Sequence, residues 1–232
     1  MYDGYDFTPD FNDINAYALG LLWADGFMVQ QKGYRSKNLR IEVLEDDFID
    51  FRESLSSLGK LSVTTRLRKN RTRKITRGVM TNKGLAEWLY ERGFKEKSKI
   101  SPCKILENIP IEYHIDFMRG WVDGDGCFYI NNKNNMYQFY MAGSYDQDWT
   151  AFIKFLERHD IFYTYKQKTQ FQNDRENKCS VIKILRRDDL IKIRDILYEN
   201  ANCFLKRKRD KAFSIPFKKR TDVQRSQECL KS

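Results

Sequence analysis

Along this 232-residue chain the apolar positions change period in a fixed order, and that order occurs twice. A helical apolar run at 16–24 is followed by extended stretches at 27–32 and 38–44, the second alternating through Leu39, Ile41 and Val43. The spacing of Phe48, Phe51, Leu55 and Leu58 predicts a helix over 46–58, with Asp46 or Asp47 as its cap. Residues 61–68 alternate cleanly between apolar and polar or basic side chains. Residues 74–80 pair with them less cleanly, and a helix at 85–92 closes the unit before Gly93. About a hundred residues later the plan repeats. Strands fall at 128–132 and 137–142, a helix at 148–159 carries Trp149, Phe152, Ile153 and Leu156, strands follow at 162–169 and 179–186, and a helix at 188–199 ends the unit.

The repeat is sharpest where each unit begins. Gly20-Leu21-Leu22-Trp23-Ala24-Asp25-Gly26 is echoed by Gly120-Trp121-Val122-Asp123-Gly124-Asp125-Gly126. Small residues at Gly20 and Ala24, and again at Gly120 and Gly124, leave a smooth stripe on each motif helix, so two such helices can pack backbone to backbone. That packing would bring Asp25 and Asp125 together at the helix C-termini. Two close carboxylates need a cation between them, and hard oxygen ligands beside free helix-end carbonyls at Ala24 and Gly124 favour Mg²⁺, with Mn²⁺ or another divalent ion as substitutes.

The expected fold is α+β: two pseudo-symmetric αββαββα halves, each an antiparallel four-stranded sheet with helices packed behind it. The halves span 1–93 and 111–203, the proline-bearing stretch 94–110 is the linker, and 204–232 is a basic C-terminal segment.

Composition narrows the function. Hydrophobic residues at 41 % and aromatics at 14 % support a packed interior. The longest apolar stretch, nine residues, is too short to span a bilayer, and the N-terminal Met1-Tyr2-Asp3-Gly4-Tyr5-Asp6 carries acids where a secretory signal is basic. An intracellular setting is therefore expected: the cytoplasm or nucleoid of a prokaryote or phage-infected cell, or an organelle. Five scattered cysteines and two histidines argue against disulfides, zinc and histidine-centred catalysis. The net charge of +10 is uneven, since 60–77 carries eight basic residues and no acid, and 204–232 carries ten basic and three acidic ones. Concentrated charge of this kind suits nucleic acid.

At the two echoes the sequence resembles the LAGLIDADG homing endonucleases in their single-chain, two-motif form. The nine-residue motif maps onto Ala18 to Gly26 and onto Met118 to Gly126, with Asp25 and Asp125 at its metal-binding eighth position. Trp23 departs from the sixth-position acid that Asp123 retains, and Ala18 and Met118 replace the leading leucine. The resemblance implies a saddle straddling duplex DNA, divalent ions held by Asp25 and Asp125, and a lysine from each half near the centre. Lys97 and Lys208 are the nearest matches, although lysines crowd both positions. Glu45 is a candidate for the polar network around an attacking water.

The activity so implied is metal-dependent hydrolysis of one phosphodiester on each strand of a long duplex site, by a monomer whose halves are inactive alone. DNA binding, through bases or phosphates, is expected from Gln30, Lys32, Arg40, Arg66, Arg68, Arg71, Arg73 and Lys74 in the first half, and from Lys166, Lys168, Gln170 and Lys183 in the second. The alternatives are an intron maturase or other RNA-binding relative, whose partner would be intron RNA, and a non-cleaving DNA-binding regulator. An intein is disfavoured, because the chain lacks a splice-start Cys or Ser after its Met and ends Leu230-Lys231-Ser232.

Overall fold

The computed structural model describes residues 7–30, 37–67, 74–172 and 175–216. Helix α1 (Asp13–Asp25) starts where the Asn12 side chain accepts from the Asn15 backbone N–H at 2.8 Å. It ends at Gly26, whose extended backbone leads straight into β1 (Gly26–Gln30). Strand β2 (Lys37–Leu44), helix α2 (Glu45–Ser57), strands β3 (Lys60–Leu67) and β4 (Lys74–Thr81), and helix α3 (Lys83–Glu91) complete the first αββαββα unit. The second unit runs α5 (His114–Asp125), β5 (Gly126–Asn131), β6 (Met136–Ser144), α6 (Thr150–Arg158), β7 (Thr164–Gln172), β8 (Arg175–Ile184) and α7 (Arg187–Tyr198). Between the units lie a 3₁₀ turn (Phe94–Glu96), the short helix α4 (Cys103–Leu106) and a second 3₁₀ turn (Ile111–Tyr113); helix α8 (Lys206–Phe213) follows α7.

Both sheets are antiparallel, with the equivalent orders β1-β2-β4-β3 and β5-β6-β8-β7. Gly26 faces Ile41 and Gly126 faces Met141, so the register is also equivalent. One face of each sheet is apolar, as its alternation dictates. Leu39, Ile41 and Met80 pack with Phe48, Phe51 and Leu55 of α2 and with Leu85 and Leu89 of α3; Phe128, Phe139, Met141 and Ile182 pack with Phe152, Leu156, Ile193 and Leu197. In α1 every residue from Asn15 to Trp23 is buried, which accounts for an apolar run without an amphipathic period.

The spine of the molecule is α1 against α5. A Cβ on Gly20 would stand 2.0 Å from the Phe117 carbonyl oxygen, and one on Gly120 would stand 2.1 Å from the Tyr17 carbonyl oxygen. Only glycine permits that approach, so the small-residue stripes seal the two halves together.

Three stretches differ from their sequence-based expectation. Residues 94–110 fold against the body through buried Phe94, Ile105, Leu106 and Ile109, because their apolar residues outweigh the prolines that mark the stretch as a connection. Strand β7 begins at Thr164, and β8 stops at Ile184; Phe162 stands half-exposed beneath the Arg186 guanidinium, 3.9 Å from the ring centroid. Within the basic C-terminal segment, Leu205, Ala212 and Ile215 are buried and fasten α8 to the body. Residues 217–232 lie outside the described residues.

Asn82 caps α3 by accepting from the Leu85 N–H at 3.0 Å and donates from its own amide to the Leu58 carbonyl at 2.7 Å. Asn82→Ala removes both bonds and is expected to lower unfolding stability by about 1–2 kcal/mol in urea titration.

Candidate active site

Because α1 and α5 run side by side to their C-termini, their last residues, Asp25 and Asp125, meet. A Cβ on Gly124 would fall 2.1 Å from Ala24 Cβ and 3.3 Å from Asp25 Oδ2. Burial pushes the Asp25 carboxyl up to about 6, the nearby Asp125 pushes it the same way, and Lys208 and Lys97 oppose both. Burial also raises Asp125, against the pull of Lys97, a hydrogen bond from Trp121 and the charge of Lys208. The Trp121 indole Nε1 donates to Asp125 Oδ2 at 3.2 Å, whereas the same motif position in α1 is Leu21, which has no donor.

The structure places Lys97 and Lys208, out of the crowded lysines, at this centre. Lys97 Nζ donates to the carbonyl oxygens of Trp23, at 2.6 Å, and Ala24. Lys208 Nζ donates to those of Val122 at 3.0 Å and Gly124 at 3.1 Å. Each ammonium thus sits on the C-terminal carbonyls of its own half's motif helix, where orphan acceptors and the negative end of the helix dipole favour a cation. Burial lowers Lys97 to about 8 and lowers Lys208 as well, with the acids of the site acting to raise both. Lys95, Lys99, Lys206 and Lys211 are exposed. Lys97 is delivered by the turn after α3 and Lys208 by α8, the two connections that follow the αββαββα units.

Two carboxylates, four backbone carbonyls and two ammonium groups make up the centre. The Ala24 and Gly124 carbonyls, expected as metal ligands, accept from the lysines here, and each carbonyl oxygen retains a second lone pair. Among the described residues no three His, Cys, Asp or Glu side chains cluster as a metal cage. A donor set of two carboxylates and carbonyl oxygens fits a hard ion such as Mg²⁺, which retains water and accepts phosphate oxygens as ligands. Glu45 lies at the first turn of α2 and pairs with Lys74 at 3.4 Å.

The sheet faces turned away from the helices carry most of the remaining candidates. In the second half, register puts Lys166, Lys168, Lys183 and position 170 on that one face, beside Tyr140. In the first half Arg40 and Arg66 share it with Arg77, which the sequence reading overlooked. Glu42 sits among these arginines and pairs with both Arg66 and Arg77. Arg40 Nε, by contrast, is buried without a hydrogen-bond partner among the described residues. Lys74 stands on the other face, opposite Leu67 and in phase with Thr76, Gly78 and Met80. Gln30 holds a backbone register position on β1 opposite Lys37. Lys32, Arg68, Arg71 and Arg73 lie outside the described residues.

Two fused αββαββα units, joined by glycine-tight helices that end in paired acids, define the LAGLIDADG saddle fold, and the chain has that fold. It is similar to the homing endonuclease I-WcaI bound to its DNA recognition sequence, with a TM-score of 0.58 over 88 % of each chain at 14 % identity. It is similar also to mesophilic variants of the homing endonuclease I-DmoI (TM-score 0.51, 17 % identity, 80 % of this chain and 88 % of that one). The LAGLIDADG meganuclease I-AabMI bound to uncleaved DNA matches at TM-score 0.50 and 10 % identity over 95 % of this chain and 93 % of that one. No family model and no curated protein matches the sequence. Among the described residues, no helix is long and apolar enough to cross a membrane.

Proposed function

We propose that this protein is a site-specific, divalent-metal-dependent DNA endonuclease that cuts one phosphodiester on each strand of a long duplex, acting as a monomer in intron homing. The observation that supports this most directly is the meeting of Asp25 and Asp125 at the ends of α1 and α5, with Lys97 and Lys208 set symmetrically beside them. Halves 1–93 and 111–203 would each serve one strand, joined through 94–110.

In this reading Asp25 and Asp125 offer anionic oxygens, with the Ala24 and Gly124 carbonyls completing the protein's share of the ligands. A divalent ion bound there supplies Lewis-acid charge at the phosphate and lowers the pKa of its bound water. Lys97 and Lys208 hold fixed positive charge where negative charge develops on the phosphate. The helix-free sheet faces enter the major groove, where paired strands fit.

The test is incubation of the protein with Mg²⁺ or Mn²⁺ and a library of long duplexes, followed by sequencing of cut ends. Discrete ends on both strands are expected; binding without cutting in either ion would turn the assignment to a regulator. Tight RNA binding that promotes splicing, without DNA cutting, would turn it to a maturase. Sites recovered this way also test the sheet face. Arg40→Ala is expected to relax base choice at one position of the site, by about tenfold in discrimination. Lys166→Ala, if its lysine meets phosphate, weakens all sites alike and reduces the salt slope by about one.

A further inference from the structure

The sixth motif position differs sharply in chemistry between the two copies: Trp23 in α1, Asp123 in α5. Both residues are 2 % exposed, and each touches the residue three positions ahead of a site lysine. The Trp23 ring meets Phe94 edge-on, with centroids 6.1 Å apart at 67°. Phe94 opens the turn that ends at Lys97. On the other side, Asp123 Oδ2 accepts from the Leu205 backbone N–H at 2.7 Å, and Leu205 is the residue that starts α8, three before Lys208.

Asp123 is itself pinned. Tyr198 Oη donates to its Oδ1 at 2.6 Å, and Tyr17 Oη donates to its Oδ2 at 2.8 Å, so both carboxylate oxygens are engaged. Three hydrogen bonds to a buried carboxylate are strong and directional. Tyr17 belongs to α1, so this network crosses from one half to the other. The position equivalent to Tyr17 in α5 is Phe117, and the position equivalent to Asp123 in α1 is Trp23. Hydroxyl and acid are therefore present together in one pairing and absent together in the other, as two alternative solutions to one packing problem.

We infer that Trp23 and Asp123 are positioning residues for Lys97 and Lys208 respectively, doing by aromatic packing in one half what a carboxylate does by hydrogen bonding in the other. A lysine has a long flexible stem, and its ammonium finds the helix-end carbonyls only if its own backbone is held in place. Phe94 and Leu205, both buried, are the held points. The inference deepens the endonuclease reading and rests on it only for what the lysines do to DNA.

The test is brief acetylation of the intact protein with acetic anhydride, with the rate at each lysine read by peptide mass spectrometry and normalised to exposed Lys104 and Lys154. In Asp123→Ala, Lys208 is expected to label at least about tenfold faster than in the parent protein, with Lys97 unchanged, the size expected for losing a hydrogen bond to a charged group. Trp23→Leu should do the reverse, while Trp23→Phe retains the edge contact and the protection of Lys97. Should Asp123→Ala fail to fold by circular dichroism, Asp123→Asn decides, with a smaller rise confined to Lys208. Equal acceleration at both lysines in a folded variant, or none at either, overturns the inference. Selective acceleration in a protein that cuts no duplex leaves the positioning role standing and removes the endonuclease reading instead.

Discussion

Asp25→Asn is expected to abolish duplex cutting and at the same time make the ion-free protein more stable. The two outcomes have one cause. In the folded chain burial and Asp125 hold the Asp25 carboxyl at about 6, against an ordinary value of 3.8, so ionising it costs the folded state and not the unfolded one. The folded state binds this proton more tightly, and stability falls as pH climbs from about 4 to about 6, then stays low. The rise from 3.8 to about 6 corresponds to roughly 3 kcal/mol above pH 6. Asparagine has the same shape without the charge and recovers much of that loss. Thermal melts in EDTA should therefore place Asp25→Asn above the parent protein at pH 7.5, with the difference roughly halved at pH 5 and vanishing only below about pH 3.8, where the carboxyl is protonated in the folded and the unfolded chain alike. Added Mg²⁺ should raise the melting temperature of the parent and not of the variant, since the ion takes the place of the lost proton. Cutting should drop by at least about a hundredfold. Asp125→Asn is expected to lose cutting equally but to gain less stability, because the Trp121 bond and Lys97 already favour the charged form of Asp125. A variant that melts below the parent at pH 7.5 in EDTA would mean that the acids are not held under mutual strain.

Much of this centre was legible because its parts are local. The paired glycines, the terminal acids and the change from helical to alternating period all lie within ten residues of each other, twice, and chemistry that repeats in sequence must repeat in space. The lysines could be named but not chosen from sequence, since Lys95, Lys97 and Lys99 differ only in direction around a 3₁₀ turn, and that direction is set by how Phe94 packs. The Asp123 network was not legible at all. Its donors lie 106, 75 and 82 residues away, and nothing in the composition of Tyr17, Tyr198 or Leu205 distinguishes them from ordinary core residues. The face on which Lys74 stands was not legible for a related reason. In β4 the side facing the helices is filled by Thr76 and Gly78, which carry no hydrophobic signal, and register against β2 and β3 decides the matter. Residues 94–110 show the same limit from the other side, because prolines mark a connection but not whether its apolar residues find a surface to cover.

Gly120→Ala sets two physical effects against each other, and their sizes predict the winner. Alanine is the better helix former by about 1 kcal/mol, so propensity alone makes the substitution stabilising. The new Cβ, however, would lie 2.1 Å from the Tyr17 carbonyl oxygen and 2.8 Å from the Leu21 backbone nitrogen. Both are main-chain atoms inside a buried helix, so no side chain can rotate to make room, and α5 must move away from α1. That movement opens the interface along Gly20, whose own closest neighbours are backbone atoms of Phe117 and Trp121. Overpacking against main-chain atoms lies at the upper end of the usual range, about 3 kcal/mol, and so outweighs propensity by about 2 kcal/mol. For a chain of this length that net loss corresponds to a melting temperature lower by roughly 4–8 °C. Gly20→Ala should behave alike, since the contact is reciprocal. The shift also carries Asp125 away from Asp25, so residual folded protein should show a smaller Mg²⁺-induced rise in melting temperature than the parent and a weaker or absent two-strand cut. Circular dichroism melts with and without Mg²⁺ check both parts. A Gly120→Ala protein that melts at or above the parent would mean that the two helices do not touch through their backbones, and the pairing of the acids would then lack its structural cause.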